Sequence, residues 1–334
     1  MSAHRTQQET GIRIAATAAA FMFALAATAP AQDSEPYPSR PVRLIAAAAP
    51  GGNPDILARL LAQRLANAFG KPFVVENMTG AGGVVAAKSV AAVPPDGHVL
   101  MVGDSGALAI NAALDPNLSY HPLRDFTPIT ALATVPTVFL VNPAVPAKTL
   151  DEFISLARSK PGQLSYGSAG AGSIHHLTMA IFADRAGIDV LHVPYRGGSA
   201  LVNGLLTGEI QAGWSGIPNV LPLIESGQLR AFCVSVLRRS KSLRDLPTCA
   251  ELGFEGFDIA TMLGLQASAG ASPQIVARLQ SEVARAMRDP SMAERMTVLG
   301  MEMQENGTEH YKQFMKEDLE RYAAAVQKLG LQLK

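Results

Sequence analysis

An excess of charge of either sign is missing from this sequence: 28 Lys and Arg balance 28 Asp and Glu. No net field therefore draws the chain to nucleic acid or to an anionic membrane. Long apolar runs are missing too. The longest stretch near the N-terminus, Ile14 to Ala27, falls short of the roughly 20 residues that span a bilayer, and nothing later approaches that length. Cysteine is reduced to Cys233 and Cys249, and neither follows the N-terminal apolar stretch, which excludes a lipid anchor there. Their separation could close one loop in an oxidising compartment. Because Cys233 sits in an apolar strand-like run and Cys249 in a Pro/Thr-containing loop, two unpaired thiols are expected. Internal repeats and low-complexity segments are likewise not apparent.

What is present is an ordinary globular composition, 48% hydrophobic and 17% charged over 334 residues, which suits two lobes rather than one core. Arg5 and Arg13, the apolar run and the triplet Ala29-Pro30-Ala31 have the layout of a signal peptide. Residues 1–31 are thus expected to be removed after Ala31, leaving a soluble, exported, periplasmic chain.

Beyond that point strands and helices alternate. Val42–Ala49 reads as a strand, followed by the loop Pro50-Gly51-Gly52-Asn53-Pro54-Asp55 and a helix to Phe69, in which Ile56, Leu57, Leu60, Leu61 and Leu65 recur at helical spacing. Further strands are expected at Phe73–Glu76 and Val99–Val102, with a small-residue helix opened by Gly80–Gly83 between them. After a long apolar stretch, Ile129–Val141, the pattern resumes: helix 150–159, strand 164–166, helix 175–185, strand 190–193, helix 199–206 and strand 229–236. The remainder reads as helical over 274–287, 292–298 and 308–329, the last a plain amphipathic helix packing back on the first lobe. Such alternation implies an α/β fold with a mostly parallel sheet. The two long apolar strands suggest that the chain crosses into a second lobe near residue 133 and returns near 233. Lobe I would then comprise 32–133 plus 234–334, and lobe II 134–233.

Three Gly-rich loops stand between a strand and a helix: Pro50-Gly51-Gly52, Gly80-Ala81-Gly82-Gly83 and Ser168-Ala169-Gly170-Ala171-Gly172-Ser173. Each can present backbone amides at a helix N-terminus, and small side chains let a ligand reach them, which suits an anion such as a carboxylate. Any one alone is equally compatible with tight helix–sheet packing; three together favour binding. Neither Gly80-Ala81-Gly82 nor Gly170-Ala171-Gly172 completes a dinucleotide fingerprint, no P-loop lysine follows, and no nucleophile elbow surrounds Ser105 or Ser168. His175 and His176 are adjacent rather than at metal-binding spacing, so no metal and no cofactor are expected. His176 reads as a backbone cap or a ligand contact, Tyr195 likewise, Arg196 as a carboxylate partner or a solvated cation, and Trp214 as core or a stacking wall.

Taken together, Tyr37 through Val42, Pro50-Gly51-Gly52 with Asp55 and Arg59, Glu76-Asn77 with Gly80 through Gly83, Pro95-Asp96-Gly97, Asp125 through Pro128, Ser168 through Ser173 with His176-Leu177, His192 through Tyr195, and Pro247-Thr248 with Glu251 and Gly253 resemble the substrate-binding proteins of tripartite tricarboxylate transporters, the Bug family. The resemblance spans the mature chain. It implies a two-lobed Venus-flytrap fold of type II-like arrangement, each lobe a mixed sheet flanked by helices. It further implies capture of a small organic acid and delivery to a membrane permease by a monomer that is not an enzyme. Carried over by position, ligand contacts would come from Pro50, Gly51, Gly52, Asn53, Asp55, Thr79, Gly80 and Ser105 in the first lobe. In the second they would come from Ser168, Ala169, Gly170, Gly172, Ser173, His176 and Tyr195. This chain departs from the family where Phe-Asp is frequent: it has Trp214-Ser215, so Ser215 joins the candidate contacts and argues for a plain organic or aromatic acid over an amino acid. Met262-Leu263-Gly264 also replaces a frequent Trp before a later Gly. The competing readings are a sensor subunit for a membrane receptor and a serine hydrolase using Ser105 or Ser173 with His176.

Overall fold

The structure is a computed structural model, and it describes residues 37–304 and 307–331. The expected signal peptide lies outside the described residues. The described residues from Arg40 onward form one compact unit; of the short unit before it, only Tyr37, Pro38 and Ser39 are described.

The first half alternates as the sequence suggests: β1 (Val42–Ala46), α1 (Asn53–Phe69), β2 (Phe73–Asn77), α2 (Val84–Ala91) and β3 (Val99–Asp104), then helical turns over 106–114 and the long β4 (Phe126–Val141). The second half runs α3 (Leu150–Ser159), β5 (Ser165–Ser168), α4 (Ile174–Ala186), β6 (Leu191–Pro194), α5 (Gly198–Thr207), β7 (Ala212–Gly216), α6 (Ile217–Glu225) and β8 (Arg230–Val234). The chain finishes with β9 (Ala260–Ser268), α7 (Pro273–Arg288), α8 (Pro290–Val298), β10 (Glu302–Met303) and α9 (Thr308–Leu329).

Strand order is β2-β1-β3-β9-β4-β7-β5-β6, with β8 and β10 also paired to β4. β1 is parallel to both β2 and β3, and β5 to both β6 and β7. Each half is thus a parallel α/β unit whose helices supply the crossovers, and antiparallel pairing to β4 and β9 joins the halves.

β4 serves both halves. Up to Pro136 it pairs with β9, and from Thr137 with β7. Ser235, just past β8, sits at that changeover. Its Oγ accepts from the Thr137 amide (3.0 Å) and hydroxyl (2.9 Å) and donates to the Ile259 carbonyl. One buried hydroxyl therefore ties together the outgoing strand, the returning strand and the entry to β9.

Two expectations need correction. Cys233 and Cys249 are disulfide-bonded, with Cα atoms 5.1 Å apart. The loop after β8 doubles back, so that the Cys249 amide donates to the Val234 carbonyl and brings the thiols together. The span 260–268, which had no strand expected, is β9 in the middle of the sheet. Gly264 interrupts its apolar signal because Tyr311 of α9 needs the space: a Cβ there would lie 2.0 Å from the Tyr311 ring. α9 is accordingly more than a solvated amphipathic helix. Tyr311 and Met315 enter the first core, while Tyr322 and Val326 join the aromatic core of the second half with Phe139, Phe182 and Trp214. Trp214 is fully buried there, 5.1 Å from Phe139 and 5.5 Å from Phe257 between ring centroids, so it is core rather than a stacking wall.

Candidate functional site

A cavity of about 130 Å³ lies between the two halves, at the carboxyl ends of β1, β3, β5 and β6, where ligands bind in α/β sheets. Four helices begin at its wall. α1, α2 and α5 start from Gly52, Gly83 and Gly197, none with a side-chain cap; the Val84 amide that opens α2 is taken by the Ala81 carbonyl, while helix starts without a side-chain cap leave first-turn amides open to a ligand. Only α4 is capped by a side chain, with Ser173 Oγ accepting from the His176 amide. The turn before α2 runs through Gly80, Ala81, Gly82 and Gly83 with every φ positive, from +46° at Ala81 to +130° at Gly80, and consecutive amides in such a turn form an anion-binding concavity. Uncapped amides and helix dipoles make this wall electropositive without requiring a formal charge. Arg196, at the exposed rim, is a cation in the lining and has no ion pair among the described residues.

The loop from Ala48 to Asn53 is held from below. Asp55 accepts from the Gly51 amide (2.9 Å) and Asn77 Nδ2 (2.8 Å) and pairs with Arg59 (2.9 Å), while Asn77 also donates to the Ala48 carbonyl (3.0 Å). Burial works against the charge, but the bonds from Arg59, Gly51 and Asn77 hold the Asp55 carboxyl below its usual range.

Of the contacts inferred from the resemblance, Gly52, Asn53, Thr79, Gly80, Ala169, Gly170, Ser173 and Tyr195 line the cavity. The others stand behind it. The Pro50 carbonyl accepts from Ser199, and Gly51 and Asp55 shape the loop. Gly172 packs so closely on Asn111 that a Cβ would meet its Oδ1 at 2.3 Å. Ser105 donates to Asp318 (2.7 Å) and accepts from the Met262 amide (3.0 Å). Ser168 bonds to His192 Nε2 (2.7 Å), whose ring stacks on His176 at 4.2 Å. Ser215 is fully buried in β7. Neither Ser105 nor Ser173 bonds to a histidine ring, so the hydrolase pairing with His176 is not assembled.

The sequence reading passed over Asp104, His175, Asn219 and Thr261, all of which line the cavity. Asp104 ends β3; burial pushes its carboxyl up to about 6 despite bonds from the Ala107 and Gly106 amides. His175 is held down to about 4 by burial and is neutral at physiological pH. Three follow strand ends or open a helix, which is the signal that marks them. Thr261 could not be found without β9. Among the described residues no group of three or more His, Cys, Asp or Glu could hold a metal, and no helix is long and apolar enough to cross a membrane.

Comparison with known proteins adds the following. The family profile TctC, tripartite tricarboxylate transporter family receptor, matches residues 57–331. The chain is 32% identical to Protein BugT of Bordetella pertussis over 313 residues, 93% of this chain and 96% of that one. Among solved structures, an R. palustris protein with adipate superposes with a TM-score of 0.85 at 31% identity, covering 88% of this chain and 98% of the other. MatC from Rhodopseudomonas palustris with bound malate gives 0.83 at 32%, covering 87% and 100%.

Proposed function

This chain belongs to the tripartite tricarboxylate transporter receptor family, the Bug family of periplasmic solute-binding proteins, and from that premise we propose that it captures a small carboxylate in the cavity between its two lobes. The observation that carries this reading is the convergence of uncapped helix N-termini and left-handed glycine turns on one cavity. These are donors preorganised for an anion. The adipate and malate found in related structures support the same ligand chemistry.

In this reading residues 32–133 with 234–334 move against 134–233, with Thr137 and Ser235 at the pivot. A carboxylate first meets the amides of the first lobe; closure then adds the Ala169–Ser173 loop and excludes water. The ligand shifts the population toward the closed state because only that state supplies both walls. No bond is made or broken. The exported chain, cleaved after Ala31, acts as a monomer and hands its ligand to a permease of the tripartite type.

A thermal-shift screen of residues 32–334 against mono-, di- and tricarboxylates, amino acids and sugars tests this, since binding to the folded state alone raises its melting temperature. A rise confined to carboxylates is expected. A rise with sugars alone, or with no acid at all, overturns the reading.

A further inference from the structure

Beside the amides of its glycine turns and helix starts, the cavity wall carries polarity of another kind. Asn53 Oδ1, both ring nitrogens of His175, Thr261 Oγ1 and Asn219 Oδ1 have no hydrogen-bond partner among the described residues, and all four residues line the cavity. Asn53, His175 and Thr261 are only 6%, 8% and 1% exposed. Buried polar atoms are ordinarily paired, and leaving one unpaired costs roughly 1–3 kcal/mol. So many on one surface point to a bound partner. Their chemistry is specific. The amide oxygens accept only, while a neutral His175 has one N–H and one lone pair, and Thr261 can donate or accept. Asp104 shares this wall, its Oδ1 accepting from the Ala107 amide at 3.0 Å.

Building on the carboxylate reading, we infer that Asp104, His175, Thr261 and Asn53 together recognise a hydroxyl that the ligand carries besides its carboxylate, so that the preferred ligand is a hydroxy monocarboxylate. A hydroxyl both donates and accepts, which is what a wall of acceptors with one imidazole N–H requires. An ammonium could satisfy the acceptors but would leave the His175 N–H facing a cation. A second carboxylate would lie beside Asp104, and two like charges in a closed cavity are strongly disfavoured. The Asp missing at Ser215 is therefore not a loss of acidity from the site. The acidic group enters from β3 instead, and it reads a different part of the ligand.

Isothermal titration of residues 32–334 with matched four-, five- and six-carbon acids tests this, each length as the unsubstituted acid, the 2-hydroxy and ω-hydroxy acids, the ω-amino acid and the dicarboxylate. At one length a hydroxy acid should bind at least tenfold more tightly than the other three classes. Asp104→Asn keeps an oxygen for the Ala107 amide while removing the charge, and it should improve dicarboxylate binding at least fivefold and narrow the preference for the hydroxy acid. Thr261→Val gives an independent check: it should weaken the hydroxy acid and leave the unsubstituted acid within twofold. A dicarboxylate or amino acid that binds wild type as tightly as the hydroxy acid overturns the inference while leaving the carboxylate reading standing. So does an unchanged preference in both variants. Failure of every acid at every length overturns the carboxylate reading and this inference with it.

Discussion

His175 and Asp104 share a cavity wall, and burial drives each toward its uncharged form, to about 4 and about 6 respectively. Their effects on folding have opposite signs. The unfolded imidazole titrates near 6.5, so as pH falls from 6.5 toward 4 the unfolded chain takes up a proton that folded His175 refuses, and stability is lost across that window. The folded Asp104 value lies above its unfolded 3.8, so its contribution is fully present below 3.8 and is lost as pH rises through 6. Each amounts to something on the order of 3 kcal/mol, and in the wild type they largely cancel. The expected outcome in urea denaturation between pH 4 and 7.5 is that wild type minus His175→Gln rises with pH, while wild type minus Asp104→Asn falls. Parallel curves for wild type and both variants would refute the assignment of burial as the cause. Residue identity in the site was only half legible in the sequence. The motif drew attention to His176, yet successive residues on a helix point about 100° apart, and it is His175 that reaches the cavity while His176 turns to stack on His192.

At the scale of elements, alternation of apolar strands with amphipathic helices was readable from Val42 to Thr207, because each half is a parallel unit whose crossovers are local. β9 was not. Its small residues, Gly264 above all, are shaped by Tyr311, which is 47 positions away in the sequence and donates to Gln266 across the same contact at 2.7 Å. The disulfide escaped for a similar reason, since it depends on a loop returning to β8. The changeover in β4 is the element on which the proposed hinge rests, and Ser235 concentrates its hydrogen bonds. Ser235→Ala would strand the Thr137 amide and hydroxyl and the Ile259 carbonyl in a buried position, at a cost of about 1–3 kcal/mol. Ser226→Ala, which removes only exposed bonds, one to the Leu223 carbonyl and one from Gln228 Nε2, is the control. Urea midpoints of the two should differ clearly; equal midpoints would show that the hydroxyl at the changeover contributes nothing particular.

For the molecule as a whole, the two-lobed plan was legible because the motifs spell out both walls, but the groups that hold the lobes together were not, since they join residues far apart in sequence. Asn111 Nδ2 donates to the Gly106 carbonyl (2.8 Å) and, in bonds of 3.3 Å each, to those of Gly82 and Gly172, the last 61 positions away. Ser199 Oγ donates to the Pro50 carbonyl (3.1 Å) across 149 positions. Both bonds exist only when the walls meet, so they favour the closed state whatever the ligand. Apparent affinity falls in proportion to the fraction of protein able to close, and a neutral hydrogen bond of about 0.5–1.5 kcal/mol corresponds to roughly a two- to tenfold change. Ser199→Ala, at an exposed rim position outside the cavity lining, should therefore raise the dissociation constant of any bound acid by about that factor, chiefly through faster release, with the order of preference among acids unchanged. Asn111→Ala should act in the same direction and more strongly, because it severs the contact with Gly172 and also loosens the turn at Gly106. Stopped-flow release and titration on the two variants separate the effects. A ligand-selective loss would place these groups in the recognition of the ligand, whereas uniform loss across acids identifies them as the latch of the closed form.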